Sequence, residues 1–479
     1  MMLIKGGLPA LPGRPEPIHA DIRVSNGRIV EIAVSIEPDP GEEVIDASGL
    51  HLFPGAVDPH VHFNTPGFEH REDFYHGSMA AARGGVTCVV DMPCTSLPPV
   101  TTLANFREKF SHISSSSVID FALYGGVSGR TADQSVERDM EELAPHVVGF
   151  KTYFISGMES FTQINHYDFS RVVERAHGLG RPVLLHAEDL SYVTAATEAA
   201  RRRGALRDPA GAKAAAGSSA GLTGYAAAGG GGPGIWADYV AARPEAAERV
   251  AAAVALSLAY GHESTLHVVH VGTAEAAELL SAGGASCETC PHYLAFSSDD
   301  FERLGSALKT APPVKSPRHA ERLWEMLADG RISFVTSDHA PAPESEKHTG
   351  SVWTDYGGIP GTGTLFPYLY SEGYRSGRLS LPRFLEAISS GAARRFGLSG
   401  RKGSLEVGRD ADILFVDPEG SYEVRGSELL SKGSITPFEG MRLRGALERT
   451  LLRGVTVWDS NKGIVVDPGN GSYLQWGCR

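Results

Sequence analysis

Cysteine is scarce in this chain, with five residues (Cys88, Cys94, Cys287, Cys290 and Cys478) among 479. An odd, sparse set excludes a disulfide framework and fits a reducing compartment. "CETC" at 287–290 has the spacing of half a zinc knuckle, but a structural zinc needs a second pair and the sequence has none. Positive charge is in the minority and is scattered rather than concentrated. The 44 Lys and Arg are scattered among 57 Asp and Glu, for a net charge of −13, which argues against a nucleic-acid partner. No apolar run is long enough to cross a bilayer, so no membrane partner is expected. The opening "MMLIKGGLPALPG" lacks the apolar stretch of a signal peptide, and a cytoplasmic location is expected.

What is present is enough apolar residue, 42%, to bury a large core, and enough length for one large domain with an accessory one. From about residue 50 to 340, short β-rich runs alternate with Ala- and Glu-rich amphipathic stretches. Eight such runs stand out: "HLFPGAVDPHVHF", "GVTCVVDMP", "SVIDFALYGGV", "VVGFKTYF", "RPVLLHAED", "STLHVVHVG", "GASCETCPHY" and "RISFVTSDHAP". Between them "YHGSMAAARG", "DFSRVVERAHGLG", "EAAERVAAAVALSLAYG" and "AERLWEMLADG" carry apolar residues three and four apart, the helical period. Eight strand–helix units predict an α/β fold, a (β/α)8 TIM-like barrel over residues 55–399, with an open parallel sheet as the alternative. The two ends differ. Residues 19–48 alternate polar and apolar around an "NG" turn, and 403–417 and 442–458 alternate likewise. A composite β-sandwich domain built from 1–54 and 400–479 is expected. Residues 204–235, rich in Gly and Ala, read as an insertion in the barrel, either a flexible linker or a lid over the site.

The chemistry gathers where the strands end. His60 and His62, two apart, face the same side of a strand, and imidazoles paired in this way suit a divalent metal. Lys151, His186, His270 and Asp338 fall at the ends of the fourth, fifth, sixth and eighth runs. Metal-ligand types at so many equivalent positions make these six the candidate ligands. His267, three residues before His270, is expected on the opposite face and packed outward. His292, His339 and Glu188 are expected to orient ligands rather than bind metal. Lys151 has three readings: an ion-pairing lysine, a Schiff-base nucleophile, or an amine that takes up carbon dioxide. Only the last, a carbamate with two oxygens, lets it bridge two ions.

"DPHVHF", "GFK", "LLHAED", "VVHVGTAEA", "ETCPHYL" and "TSDHAP", in this order, resemble the cyclic amidohydrolases, the family of allantoinases, dihydroorotases and hydantoinases. The similarity runs over nearly the whole chain, including "SKGSITPFEGMRLRGALERTLLRG". It implies a (β/α)8 barrel with a composite β-sandwich, a homotetramer, and a site for two divalent ions, commonly zinc. In that site His60, His62 and Asp338 hold one ion, His186 and His270 the other, and carbamylated Lys151 bridges them. Asp338 doubles as the catalytic proton carrier. The substrate class implied is a small cyclic amide or ureide. A noncatalytic scaffold of the same fold is the non-enzyme alternative, but it would be expected to have lost ligands, and all six are here.

The ring is read from departures within the family. Dihydroorotases meet a substrate carboxylate with an arginine where this chain has Asn64, and carry an asparagine where it has Cys94. Hydantoinases place a tyrosine near Ser156; here the nearest is Tyr153, on the same strand face as Lys151. "HVHFNTPG", "GSVWTDYGGIPG" and "SKGSITPFEG" resemble the allantoinase branch, although "DMPCTS", Gly363 and the 204–235 insertion depart from it. A neutral ureide suits a pocket with Asn64 and Cys94, and with backbone groups near Thr289 and Gly358, as substrate-binding candidates. Hydantoinase, dihydropyrimidinase and dihydroorotase activities are the alternatives.

Overall fold

The computed structural model describes residues 1–132, 136–207 and 234–478. Eight short parallel strands form its centre, each buried throughout or nearly so, because helices cover the outside and side chains fill the inside. Ala56–Val61, Val86–Asp91 and Asp120–Leu123 pair in sequence. Gly125–Gly126 continues the third strand and pairs with Phe150–Tyr153, followed by Val183–His186, Leu266–Val268, Ser286–Thr289 and Phe334–Val335. The ring closes where Val61 bridges His339 and the His62 amide donates to the His339 carbonyl at 2.8 Å. All eight predicted runs supply a strand, and the closed barrel replaces the open-sheet alternative.

The helices start where short polar side chains cap them. Asp73 accepts from the His76 amide at 2.8 Å ahead of Phe74–Arg83, and Asn165 from the Asp168 amide at 2.9 Å ahead of His166–Gly178. Each such cap contributes about 1 kcal/mol. Inside the barrel the lower layer is apolar: Val57, Cys88, Tyr124, Val148, Leu184, Phe334 and Phe396 pack together, with Phe396 edge-on to Tyr124 at 5.4 Å. This floor seals one end, so polar residues collect at the other.

Two further sheets draw on the chain ends. Met2–Lys5 lies between Asp21–Ser25 and Glu43–Asp46, and Asp21–Ser25 turns back into Arg28–Ala33 through Asn26 and Gly27, both left-handed (φ 50° and 76°) as a tight hairpin requires. The second sheet joins His51–Pro54 and Leu8–Pro9 to Ile413–Glu423, Arg442–Leu452, Val455–Asp459 and Gly463–Ile464. Ile4, Ile22, Val24 and Ile29 pack against Leu52, Ile413 and Leu451 between them. One detail departs from expectation. Residues 403–412 are not strand; the chain turns at Gly403 and Gly408 (φ 102° and 91°). Here the alternation reflects buried ion pairs rather than a pleat, with Lys402 Nζ 2.9 Å from Asp410 and 2.7 Å from Asp412 and Asp120. The expected insertion also begins later than its composition suggests, because helix Leu190–Arg207 includes residues 204–207. Gly234 and Ile235 lead into Trp236–Ala242, and the rest of 204–235 lies outside the described residues.

Candidate active site and metal centre

Five of the six ligand candidates, His60, His62, His186, His270 and Asp338, line the cavity at the carboxyl-terminal mouth of the barrel. Lys151 is not at its strand's end as expected but is the second residue of Phe150–Tyr153, fully buried beneath them. His60 is on the first strand and His62 just after it, with their rings 5.5 Å apart. His60 Nε2 and His62 Nε2 lie 3.3 and 3.4 Å from Asp338 Oδ1. Tetrahedral zinc with ligand bonds near 2.0–2.1 Å sets its donors about 3.3 Å apart, so this spacing suits an ion. His186 Nδ1 is 3.1 Å from His270 Nε2, and the His270 ring is 5.3 Å from that of His60, which joins the two groups.

Backbone strain places two of these side chains. His270 and Asp338 are left-handed (φ 40° and 49°), as is Asn64 (φ 57°), a conformation that costs a non-glycine residue about 1–3 kcal/mol. Asp338 is held there by its neighbour, since the Ser337 amide and hydroxyl both donate to buried Asp58. The turn at His270 also explains a misplaced residue. His267 does not pack outward; it lies inside the barrel, stacked on Phe334 at 5.2 Å, because the strand's alternation ends before His270.

Beneath the mouth, carboxylates fix the rings. Glu288, which sequence reasoning missed, puts Oε1 2.7 Å from His60 Nδ1 and Oε2 3.0 Å from His267 Nε2, and accepts from the Thr336 hydroxyl at 3.1 Å. Its only signal was a charged residue inside a strand that must be buried on both faces. Glu188 Oε2 is 3.1 Å from His186 Nε2, as expected of an orienting group, and Arg243 grips the same carboxylate. Burial pushes the Glu288 carboxyl well above the usual range. Burial acts on Glu188 in the same direction, but Arg243 and His186 overcome it and hold Glu188 well below that range. His339 Nε2 faces Glu72 at 3.0 Å, outside the ligand cluster, and His292 is buried beside Tyr293 with both ring nitrogens unpaired among the described residues.

Burial, and next the charge of Lys151, hold the His60 ring well below its ordinary value, leaving a neutral imidazole with a lone pair to give. Burial favours the neutral Asp338 acid, yet His60, His62 and His270 hold its carboxyl well below the usual range. Burial lowers the Lys151 amine to about 8, and its Nζ has no hydrogen-bond partner among the described residues. His270 Nδ1 is unpaired as well. The donor set of His60, His62 and Asp338, with a buried amine that has no hydrogen-bond partner among the described residues, fits a bound divalent cation.

Above the cluster opens a cavity of about 510 Å³, walled by Thr95, Tyr153, Ser156, Arg243, Lys309 and Tyr356 among others. The four substrate-binding candidates stand behind this wall. Cys94 Sγ is 3.1 Å from the Tyr153 hydroxyl, Thr289 Oγ1 donates to the Val271 carbonyl at 2.8 Å, Asn64 is buried, and the Gly358 amide donates to the Lys309 carbonyl at 2.9 Å. Tyr153 shares a face with Lys151, whose Nζ is 4.9 Å from its ring centre.

Residues 51–457 match the model of the amidohydrolase family. The chain belongs to the amidohydrolase family. Among amidohydrolases it is similar to an allantoinase of Rubrobacter xylanophilus, 38% identical over 95% of this chain and 94% of the relative. An allantoinase of Escherichia coli O139:H28 is 31% identical over 98% and 97%. Of solved structures, an L-hydantoinase (dihydropyrimidinase) from Arthrobacter aurescens superposes with a TM-score of 0.88 at 30% identity, covering 99% of both chains. A D-hydantoinase from Bacillus sp. AR9 superposes with a TM-score of 0.85 at 27% identity over 100% of each.

Proposed function

We propose that this amidohydrolase opens a cyclic ureide ring with two bound zinc ions, and that the ring is allantoin, opened to allantoate in purine catabolism. The observation that carries the metal reading is the His60, His62 and Asp338 donor set together with the buried Lys151 amine, which has no hydrogen-bond partner among the described residues. The choice of ring rests on likeness to proteins named allantoinase over nearly the whole chain. In this reading His60, His62 and Asp338 would hold one ion and His186 and His270 the other, with Lys151, carbamylated by carbon dioxide, supplying an anionic ligand to both. When bound, the ions polarise the ring carbonyl and bring the pKa of a water down to about 7.

The chain's own residues do the rest. Asp338 accepts the proton of the attacking water and passes it to the ring nitrogen as the C–N bond breaks, so the nitrogen leaves as a neutral amide. Thr95 and Ser156 line the cavity, Thr95 with its hydroxyl 3.2 Å from His62 Nδ1 and Ser156 donating its own to the Phe161 carbonyl at 2.6 Å, so they shape the pocket for a neutral ring. Asn64, Cys94, Thr289 and Gly358 shape the wall from behind, Cys94 by anchoring the Tyr153 hydroxyl. Residues 55–399 carry the chemistry, 1–54 and 400–479 form the accessory domain, and the protein works as a cytoplasmic homotetramer. No helix among the described residues is long and apolar enough to cross a membrane. A second reading, hydantoinase or dihydropyrimidinase, is favoured by the Tyr153 phenol at the cavity wall.

The test is a panel of allantoin, dihydroorotate, hydantoin and dihydrouracil with zinc-reconstituted protein. Allantoin is expected to have the highest kcat/KM. Faster turnover of another ring would overturn the substrate while leaving the hydrolytic site in place, and no turnover of any would overturn the function.

A further inference from the structure

Arg243 stands between the substrate cavity and the support of the His186 half of the site. It lines the cavity, and its Nε lies 3.1 Å from both Glu188 oxygens while Nη2 bonds Oε2. Glu188 is fully buried and uses the same Oε2 to meet His186 Nε2 at 3.1 Å. A carboxylate only accepts, so His186 carries its proton on Nε2 and keeps the Nδ1 lone pair for the side that faces His270. The arginine is itself anchored through its backbone. Arg243 follows helix Trp236–Ala242, and its carbonyl accepts from Lys315 Nζ at 2.8 Å, with Lys315 in turn 3.0 Å from Glu248. The forked, charge-assisted contact therefore sets the position of Glu188, and Glu188 sets the ring.

We infer that Arg243 is a positioning residue for the second ion: by clamping Glu188 it fixes the His186 tautomer and so the affinity of the His186–His270 half, without being a ligand. The inference rests on the two-ion reading above. Its direct test is zinc stoichiometry and chelator competition on the full chain, comparing wild type with Arg243→Gln and Arg243→Lys. Wild type is expected to hold two ions. Arg243→Gln is expected to keep one at wild-type affinity and to bind the other about 10- to 100-fold more weakly, the usual effect of losing such support. Arg243→Lys keeps the charge but not the fork, so its second ion should be weakened less, and it carries the test if the glutamine variant fails to fold. Excess zinc should restore kcat in either variant with KM unchanged. Two ions held with wild-type affinity in both variants, equal weakening of both ions, or a raised KM with both ions bound would overturn it. A wild type that binds a single ion would instead sink the two-ion reading itself.

Discussion

His60 and His186 each hand one ring nitrogen to a buried glutamate, yet the two glutamates are satisfied by different partners. Glu288 sits inside the barrel among His60, His267 and Thr336, and among the described residues no lysine or arginine pairs with it. Glu188 is clamped by an arginine that also lines the cavity. Glutamine at 288 leaves every partner satisfied: its oxygen accepts from His60 and its amide donates to His267, whose other nitrogen meets the Ser286 hydroxyl at 2.8 Å. Glutamine at 188 turns an amide against either a guanidinium or a protonated ring nitrogen, and neither can accept. The His60 half is thus built to tolerate a neutral support, whereas the His186 half depends on charge.

The largest effect is expected at Lys151, which the proposed two-ion site would have its halves share. Lys151→Ala should lose both ions and about 10,000-fold in kcat/KM, some ~5 kcal/mol of transition-state stabilisation. Short carboxylic acids should partly rescue it, measured by metal content and rate together. Full activity in that variant would remove the bridge. Asp338→Asn comes next, with kcat lower by about 100- to 1,000-fold through loss of the proton carrier, and with zinc analysis showing the His60–His62 ion weakened.

The remaining two substitutions separate the halves. Glu188→Gln should weaken the second ion about 10- to 100-fold in chelator competition. Glu288→Gln should cost less than about 10-fold at the first. Equal losses in the two variants would erase the distinction between the two supports.

Much of this site is legible in the sequence because its rule is simple. Inward-facing ligand types at strand ends announce themselves where the runs before them are apolar, as "VLLHAED" and "FVTSDHAP" do. What escapes is set by conformation and burial. The left-handed turn at His270 breaks the two-residue alternation that would have put His267 outside. Glu288 hides between two cysteines whose spacing draws the eye to the thiols. Arg243 lies 55 residues from the glutamate it grips, and only the folding back of the connection between the fifth and sixth strands brings them together. At Lys402 the reverse occurs, because buried Asp410 and Asp412 alternate like a strand while serving an ion pair.

The most direct measurement is diffraction from crystals of the zinc-reconstituted protein, with anomalous maps collected at the zinc edge. Two peaks per chain are expected, one among His60, His62 and Asp338 and one between His186 and His270, with continuous density extending Lys151 to both. A single peak beside an unmodified lysine, or six side chains with no zinc among them, would contradict the account.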